Sequence, residues 1–165
     1  MPGNGVGGVV TRVGAAVDTD LMGTRVVASL TGSGGYAEQV VIDAEAALPV
    51  PDGVDLDEAV AVLADGRTAA LLLAEAQVRR GDRVLVEAAG GGVGSLLVQL
   101  ARNAGATVVA AAGGRHKREL AADLGADVTI DYREPDWADE VRRRVGEVDV
   151  VFDAVGGDIG GPRSN

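Results

Sequence analysis

The sequence predicts an α/β fold: a parallel-sheet unit of order β-α-β-α-β-α-β standing behind a smaller β-rich unit. Three observations carry this expectation. From Arg83 onward, short β-branched runs alternate with segments whose apolar residues recur at helical spacing. A glycine string, Gly90 to Gly92 with Gly94, lies between the first such run and the first helical segment. Between Gly8 and Val50, Val-rich runs are instead separated by glycine and acidic turns, as in an all-β unit.

Composition narrows the class. A chain of 165 residues with 47% hydrophobic content is globular in character, and the 2% aromatic content leaves Val, Leu, Ile and Ala to build the core. The 25 glycines sit in turns without a three-residue period, which excludes collagen. A net charge of −10 argues against a nucleic-acid partner, which would need a concentrated basic surface. The densest basic run, Arg142 to Arg144, reads as the solvated face of a helix. With no cysteine and one histidine, neither a thiolate or imidazole metal centre nor a Ser-His-Asp triad is expected. MPGNGVGG is unlike a signal peptide and no apolar run is long enough to span a bilayer, so a cytoplasmic protein without membrane contact is expected.

The elements follow in order. Gly8 to Val13, Arg25 to Leu30, Tyr36 to Ile42 and Ala47 to Val50 are the predicted early strands. Asp55 to Asp57 opens a helix with an apolar face of Val60, Val62 and Leu63, and the chain divides near residues 64 to 80. Arg83 to Glu87 is a strand, and Val93 to Asn103 a helix with Leu96, Leu97 and Leu100 on one face. Thr107 to Ala112 is the next strand, followed by a helix over His116 to Leu124 and a strand over Val128 to Tyr132. Pro135 to Val145 is a helix with proline in its first turn, and Val148 to Asp153 the fourth strand. A sheet that stops there exposes an apolar edge, through which a homo-oligomer is possible.

The glycine string is the chemically informative segment. A turn that receives a pyrophosphate needs bare backbone and free N–H groups at a helix N-terminus. Gly91 and Gly92 suit that approach, and Gly94 allows the helix to lie close to the strand. Ala89 stands where the strict G-x-G-x-x-G pattern has its first glycine, whereas A-x-x-G-x-x-G fits through Ala88, Gly91 and Gly94. A plain flexible turn is the alternative. The second strand ends at Ala112-Gly113-Gly114 with no carboxylate for a ribose 2′-hydroxyl, and Arg115 and Lys117 follow. That favours NADP(H), because small residues admit a 2′-phosphate and cations attract it. A methyltransferase, which also carries a glycine turn after its first strand, is disfavoured by the same missing acid and by the β-rich start.

Five segments in order extend this reading: Gly34-Gly35-Tyr36-Ala37-Glu38, Gly66-Arg67-Thr68-Ala69, Val84 to Gly94, Leu124-Gly125-Ala126-Asp127 and Asp149 to Gly157. Together they resemble the medium-chain dehydrogenase/reductase superfamily, nearest its zinc-independent NADPH:quinone oxidoreductases. The resemblance implies a partial GroES-like catalytic domain over 1–65, a partial Rossmann NADP-binding domain over 66–160 and a polar tail over 161–165, truncated at both ends. It implies that Thr68 lies near the nicotinamide, that Gly91, Gly92 and Val93 line the pyrophosphate beside Ala89 and Gly94, and that Gly156 faces the cofactor. Lys117 and Tyr132 match positions that contact the 2′-phosphate, next to Gly114. Where zinc-dependent members carry Gly-His-Glu, this chain has Gly3-Asn4-Gly5, so no metal is expected. The implied reaction is hydride transfer from NADPH to a quinone or enone, a small-molecule electron acceptor, with no catalytic acid assigned. A non-catalytic remnant that at most binds the dinucleotide is the alternative.

Overall fold

A computed structural model describes residues 2–156, and the predicted polar tail lies outside them. Two compact units divide between Arg67 and Thr68.

In the first unit, β1 (Gly5–Val9), β2 (Arg25–Ser29) and β3 (Leu48–Pro49) form an antiparallel sheet in that order. The first strand starts earlier and ends earlier than its apolar residues suggest. Its glycines are part of the strand, because a Cβ at Gly7 would come within 3.1 Å of the Leu56 carbonyl oxygen. Tyr36 to Ile42 is not a strand. Val41 is 99% exposed and no neighbouring strand pairs with the segment, so its apolar pattern has nothing to pack on. Backbone bonds hold the start of this segment instead, with Gly35 N–H donating to the Gly3 carbonyl at 2.8 Å.

The helix expected after Asp55 is longer than read, running as α1 over Leu56–Glu75 through the division between the units. Val60 and Leu63 lie near Gly5, whereas Val62 turns outward and is about half exposed. Helix formers dominate this stretch, and Gly66 alone does not break it.

The second unit holds β4 (Arg83–Glu87), α2 (Gly92–Asn103), β5 (Thr107–Ala111), α3 (Arg115–Asp123), β6 (Val128–Ile130), α4 (Trp137–Val145) and β7 (Val150–Phe152). The alternation predicted from residue 83 onward is present, and the four strands are parallel in the order β6-β5-β4-β7. Both faces of β4 are covered, which explains its continuous apolar run. Val84 and Val86 join Val98, Ala101, Val108 and Phe152 in one core layer, with Ala69 of α1. Leu85 joins Val109, Ile130, Trp137 and Val141 in the other. Helix α4 begins after Asp136, so Pro135 precedes the helix and is not in its first turn. A turn closed by Glu134 N–H to the Asp131 carbonyl occupies the chain there. Arg142, Arg143 and Arg144 pair with Asp139, Asp136 and Glu140, the solvated helix face expected of them.

Candidate nucleotide site at the ends of the parallel strands

Strand β4 leads by its right and left neighbours to opposite edges of the sheet: the chain proceeds to β5 and β6 on one side and returns to β7 on the other. That reversal creates a crevice outside the carboxyl ends of β4 and β7, where open α/β sheets receive ligands. The glycine turn opens into it. Ala88 adopts a left-handed conformation with φ 49°, which turns the chain sharply off β4. Ala89 is fully buried, and its N–H donates to the Ala111 carbonyl at 3.1 Å, tying the turn to β5.

Gly91 is the N-cap of α2 and no side chain caps it, so the first N–H groups of the helix, from Gly92, Val93 and Gly94, point out of its end. Gly94 is buried, and a Cβ there would collide with the Ala88 carbonyl group and approach Ala89 Cα to 2.9 Å. Its role is the close packing of helix on turn. Gly91 is exposed, and a Cβ would meet only the Ala88 oxygen at 3.2 Å. Gly90, to which sequence reasoning assigned no role, is fixed by α3: a Cβ would lie 2.6 Å from Lys117 Cβ.

The second strand ends in a similar way. Gly114, φ 95°, is the N-cap of α3 and again carries no side-chain cap. The Tyr132 ring lies over Gly113, 3.0 Å from where a Cβ would stand. The carboxylate missing from the end of β5 is present on its neighbour. Asp131 Oδ2 accepts the Gly114 N–H at 3.3 Å from the end of β6. Its charge is covered, because Arg133 donates to both oxygens at 2.9 and 2.7 Å and Arg118 Nε lies 3.7 Å away. The Arg133 guanidinium and these hydrogen bonds hold the Asp131 carboxyl well below the usual carboxylate range, against the opposing effect of burial. The outward face of the pair is therefore guanidinium. Arg115, expected to serve as a cation here, pairs along its own helix with Glu119 at 2.7 Å.

The predicted cofactor residues fall in four places. Ala89, Gly91, Gly92, Val93 and Gly94 form the turn and helix start, beside Lys117. Gly114 and Tyr132 adjoin the ends of β5 and β6. Gly156, φ 64°, closes the loop after β7, where its N–H donates to Asp153 Oδ1 at 2.7 Å. Thr68 lies mid-helix in α1 and is not a cap. In the first unit, a cleft of about 230 Å³ is lined by Asn4, Ser29, Tyr36 and Leu63 among others. Among the described residues no group of three His, Cys, Asp or Glu side chains is arranged to hold a metal ion. No described helix is long and apolar enough to cross a membrane.

A doubly wound parallel sheet with bare helix starts along its carboxyl edge defines a Rossmann-like α/β unit. Comparison with known proteins agrees. A family model described as zinc-binding dehydrogenase matches residues 92–159. A 2-haloacrylate reductase from Burkholderia is 39% identical over 155 residues, 91% of this chain and 46% of the relative. The quinone oxidoreductase of Escherichia coli, solved with NADPH, superposes with a TM-score of 0.87 at 32% identity, over 95% of this chain and 49% of that one. That of Thermus thermophilus, also solved with NADPH, gives 0.75 at 38% identity, over 83% and 45%. Over nearly its whole length the chain is thus similar to quinone oxidoreductases of the medium-chain dehydrogenase/reductase type, and it spans about half the length of these relatives.

Proposed function

We propose that the chain supplies the NADP(H) site of an oxidoreductase that reduces a quinone or enone-type carbonyl without zinc. The observation that carries the reading is the uncapped start of α2 at the β4/β7 crevice, reached through a turn of bare backbone. A diphosphate there would be held by N–H groups of Gly92, Val93 and Gly94, with Ala89 and Gly91 shaping the approach. The 2′-phosphate would sit at the start of α3, by Gly114 and Tyr132, where Lys117 and the arginines around Asp131 favour it over a bare hydroxyl. Gly156 would border the cofactor from β7, and Thr68 would orient the nicotinamide.

Residues 1–65 would form the GroES-like catalytic part and 66–160 the nucleotide-binding part. NADPH held there would supply the hydride, which together with one proton from solvent would reduce the acceptor. The protein's contribution is binding, orientation and exclusion of water. The names and NADPH complexes of the similar proteins support the reaction class.

Titration of NADPH fluorescence tests the site, and quinone-dependent loss of NADPH absorbance tests the reaction. Tight NADPH binding with much weaker NADH binding is expected. Equal affinity for both would remove the 2′-phosphate assignment; binding without turnover would leave a nucleotide-binding module and withdraw the reaction from this chain.

A further inference from the structure

Behind the crevice lies a carboxyl group that the proposed chemistry does not use. Glu87 is the last residue of β4, immediately before the left-handed Ala88, and it is 3% exposed. A buried carboxylate is costly unless fully paired, and Glu87 Oε2 has no hydrogen-bond partner. The register pairs Val86 with Phe152, which brings Glu87 and Asp153 to the same end of adjacent strands. Their side chains are hydrogen-bonded to each other. Two carboxyl groups can share such a bond only through a proton held by one of them.

The rest of the geometry says which one. Asp153 Oδ1 accepts the N–H of Val155 at 2.9 Å and of Gly156 at 2.7 Å, which suits a carboxylate. Glu87 is the more deeply buried partner and so the better place for the proton. We propose that Glu87 is a positioning residue whose protonated carboxyl holds Asp153, and through it the loop 153–156, in the shape that borders the dinucleotide. The cofactor part of this statement rests on the proposed NADP(H) site; the brace itself does not.

Burial first, then the charge and hydrogen bond of Asp153, push the Glu87 carboxyl up to about 7. Asp153 on β7 is the charged group acting on it; on β5 the register partner is Ala111, and the Leu85 face of β4 packs on Trp137 and Val141, all uncharged. Raising the pH through neutrality therefore removes the shared proton, sets two carboxylates against each other and releases the loop. If only the protonated form binds well, affinity follows its fraction, and NADPH binding weakens about tenfold between pH 6 and pH 8.

The test uses the full chain, wild type and Glu87→Gln, which keeps a hydrogen-bond donor that does not titrate. Backbone amide shifts of Val155 and Gly156 are followed from pH 5 to pH 9 without nucleotide, alongside NADPH affinity. Wild type should titrate with a midpoint near 7 in both readouts, and E87Q in neither. The same amide titration in E87Q, or a wild-type Glu87 carboxyl resonance with its midpoint in the ordinary glutamate range, overturns the brace and requires no variant to fold in the second case. A correct amide titration with no NADPH binding at any pH overturns the nucleotide reading and leaves the brace standing.

Discussion

Lys117 rests the base of its side chain on Gly90, so closely that a methyl group at residue 90 would stand 2.6 Å from Lys117 Cβ and 2.8 Å from its Cγ. The glycine turn and the start of α3 are thus in direct contact. Gly90→Ala has to move α3 or the turn, because the obstruction is Cβ and backbone, not a flexible tip. The expected loss is about 1–3 kcal/mol of stability, read from a urea midpoint. The ratio of NADPH to NADH affinity should fall with it. Lys117→Glu should weaken NADPH more than NADH while leaving the urea midpoint nearly unchanged; equal loss for both nucleotides would take Lys117 out of the 2′-phosphate site.

Gly91 and Gly94 look alike in sequence and should fail differently. Gly94→Ala forces a carbon into the Ala88 carbonyl group and should cost at least about 2 kcal/mol of stability. Gly91→Val needs only a few tenths of an ångström from the Ala88 oxygen, on an extended backbone that tolerates side chains. A loss of about 1 kcal/mol is expected there, with NADPH binding abolished. Retained nucleotide binding in Gly91→Val would show that the turn does not receive the diphosphate.

Glu87 predicts an unusual slope of stability with pH. Its folded-state value is raised above that of the unfolded chain, so the native state holds the proton more tightly. Its contribution is fully present below about pH 4.5 and is lost as pH rises toward 7, by an amount on the order of 3 kcal/mol. Urea midpoints at pH 5 and pH 8 measure it. E87Q should flatten that part of the curve, and an unchanged slope would place the titrating group elsewhere.

Asp131 works in the opposite direction. Its folded-state value is depressed by Arg133, so its contribution is complete above the ordinary carboxylate range and shrinks as the solution becomes more acidic. Asp131→Asn should therefore be less stable than wild type at pH 6, with the gap narrowing toward pH 3. A constant gap would mean that the ion pair with Arg133 and Arg118 contributes little and that shape alone accounts for the loss.

The parallel sheet was legible because each strand, read by itself, is apolar enough to be buried on two faces, as Val84 to Val86 shows. The glycine turn was legible for a related reason: bare backbone between strand and helix is a local signal. Tyr36 to Ile42 misled because β-propensity needs a neighbour, and none of the described strands pairs with it. The continuity of α1 through Gly66 was hidden by the change in pattern on either side of it. Gly90, Glu87, Asp131 and Asp153 were invisible as site residues, since each acquires its role from a partner on another strand or helix. Nothing within a few residues of Glu87 announces that Asp153 will stand beside it.

The position of β7 has a kinetic consequence. Strands β4 and β5 each lie next to their successor, whereas the chain must come back across the sheet from β6 to place β7 beside β4, with Arg83 N–H donating to Asp149 Oδ2 at 2.7 Å across a separation of 66 residues. Closing so long a loop costs more chain entropy than the neighbouring crossovers do. During refolding the three-stranded core should therefore appear first and the fourth strand dock last, carrying Asp153 to Glu87 in the final step. Pulse-labelled exchange should show amides of Val108 to Ala110 guarded before that of Phe152; simultaneous appearance would mean that the crevice is assembled in a single event.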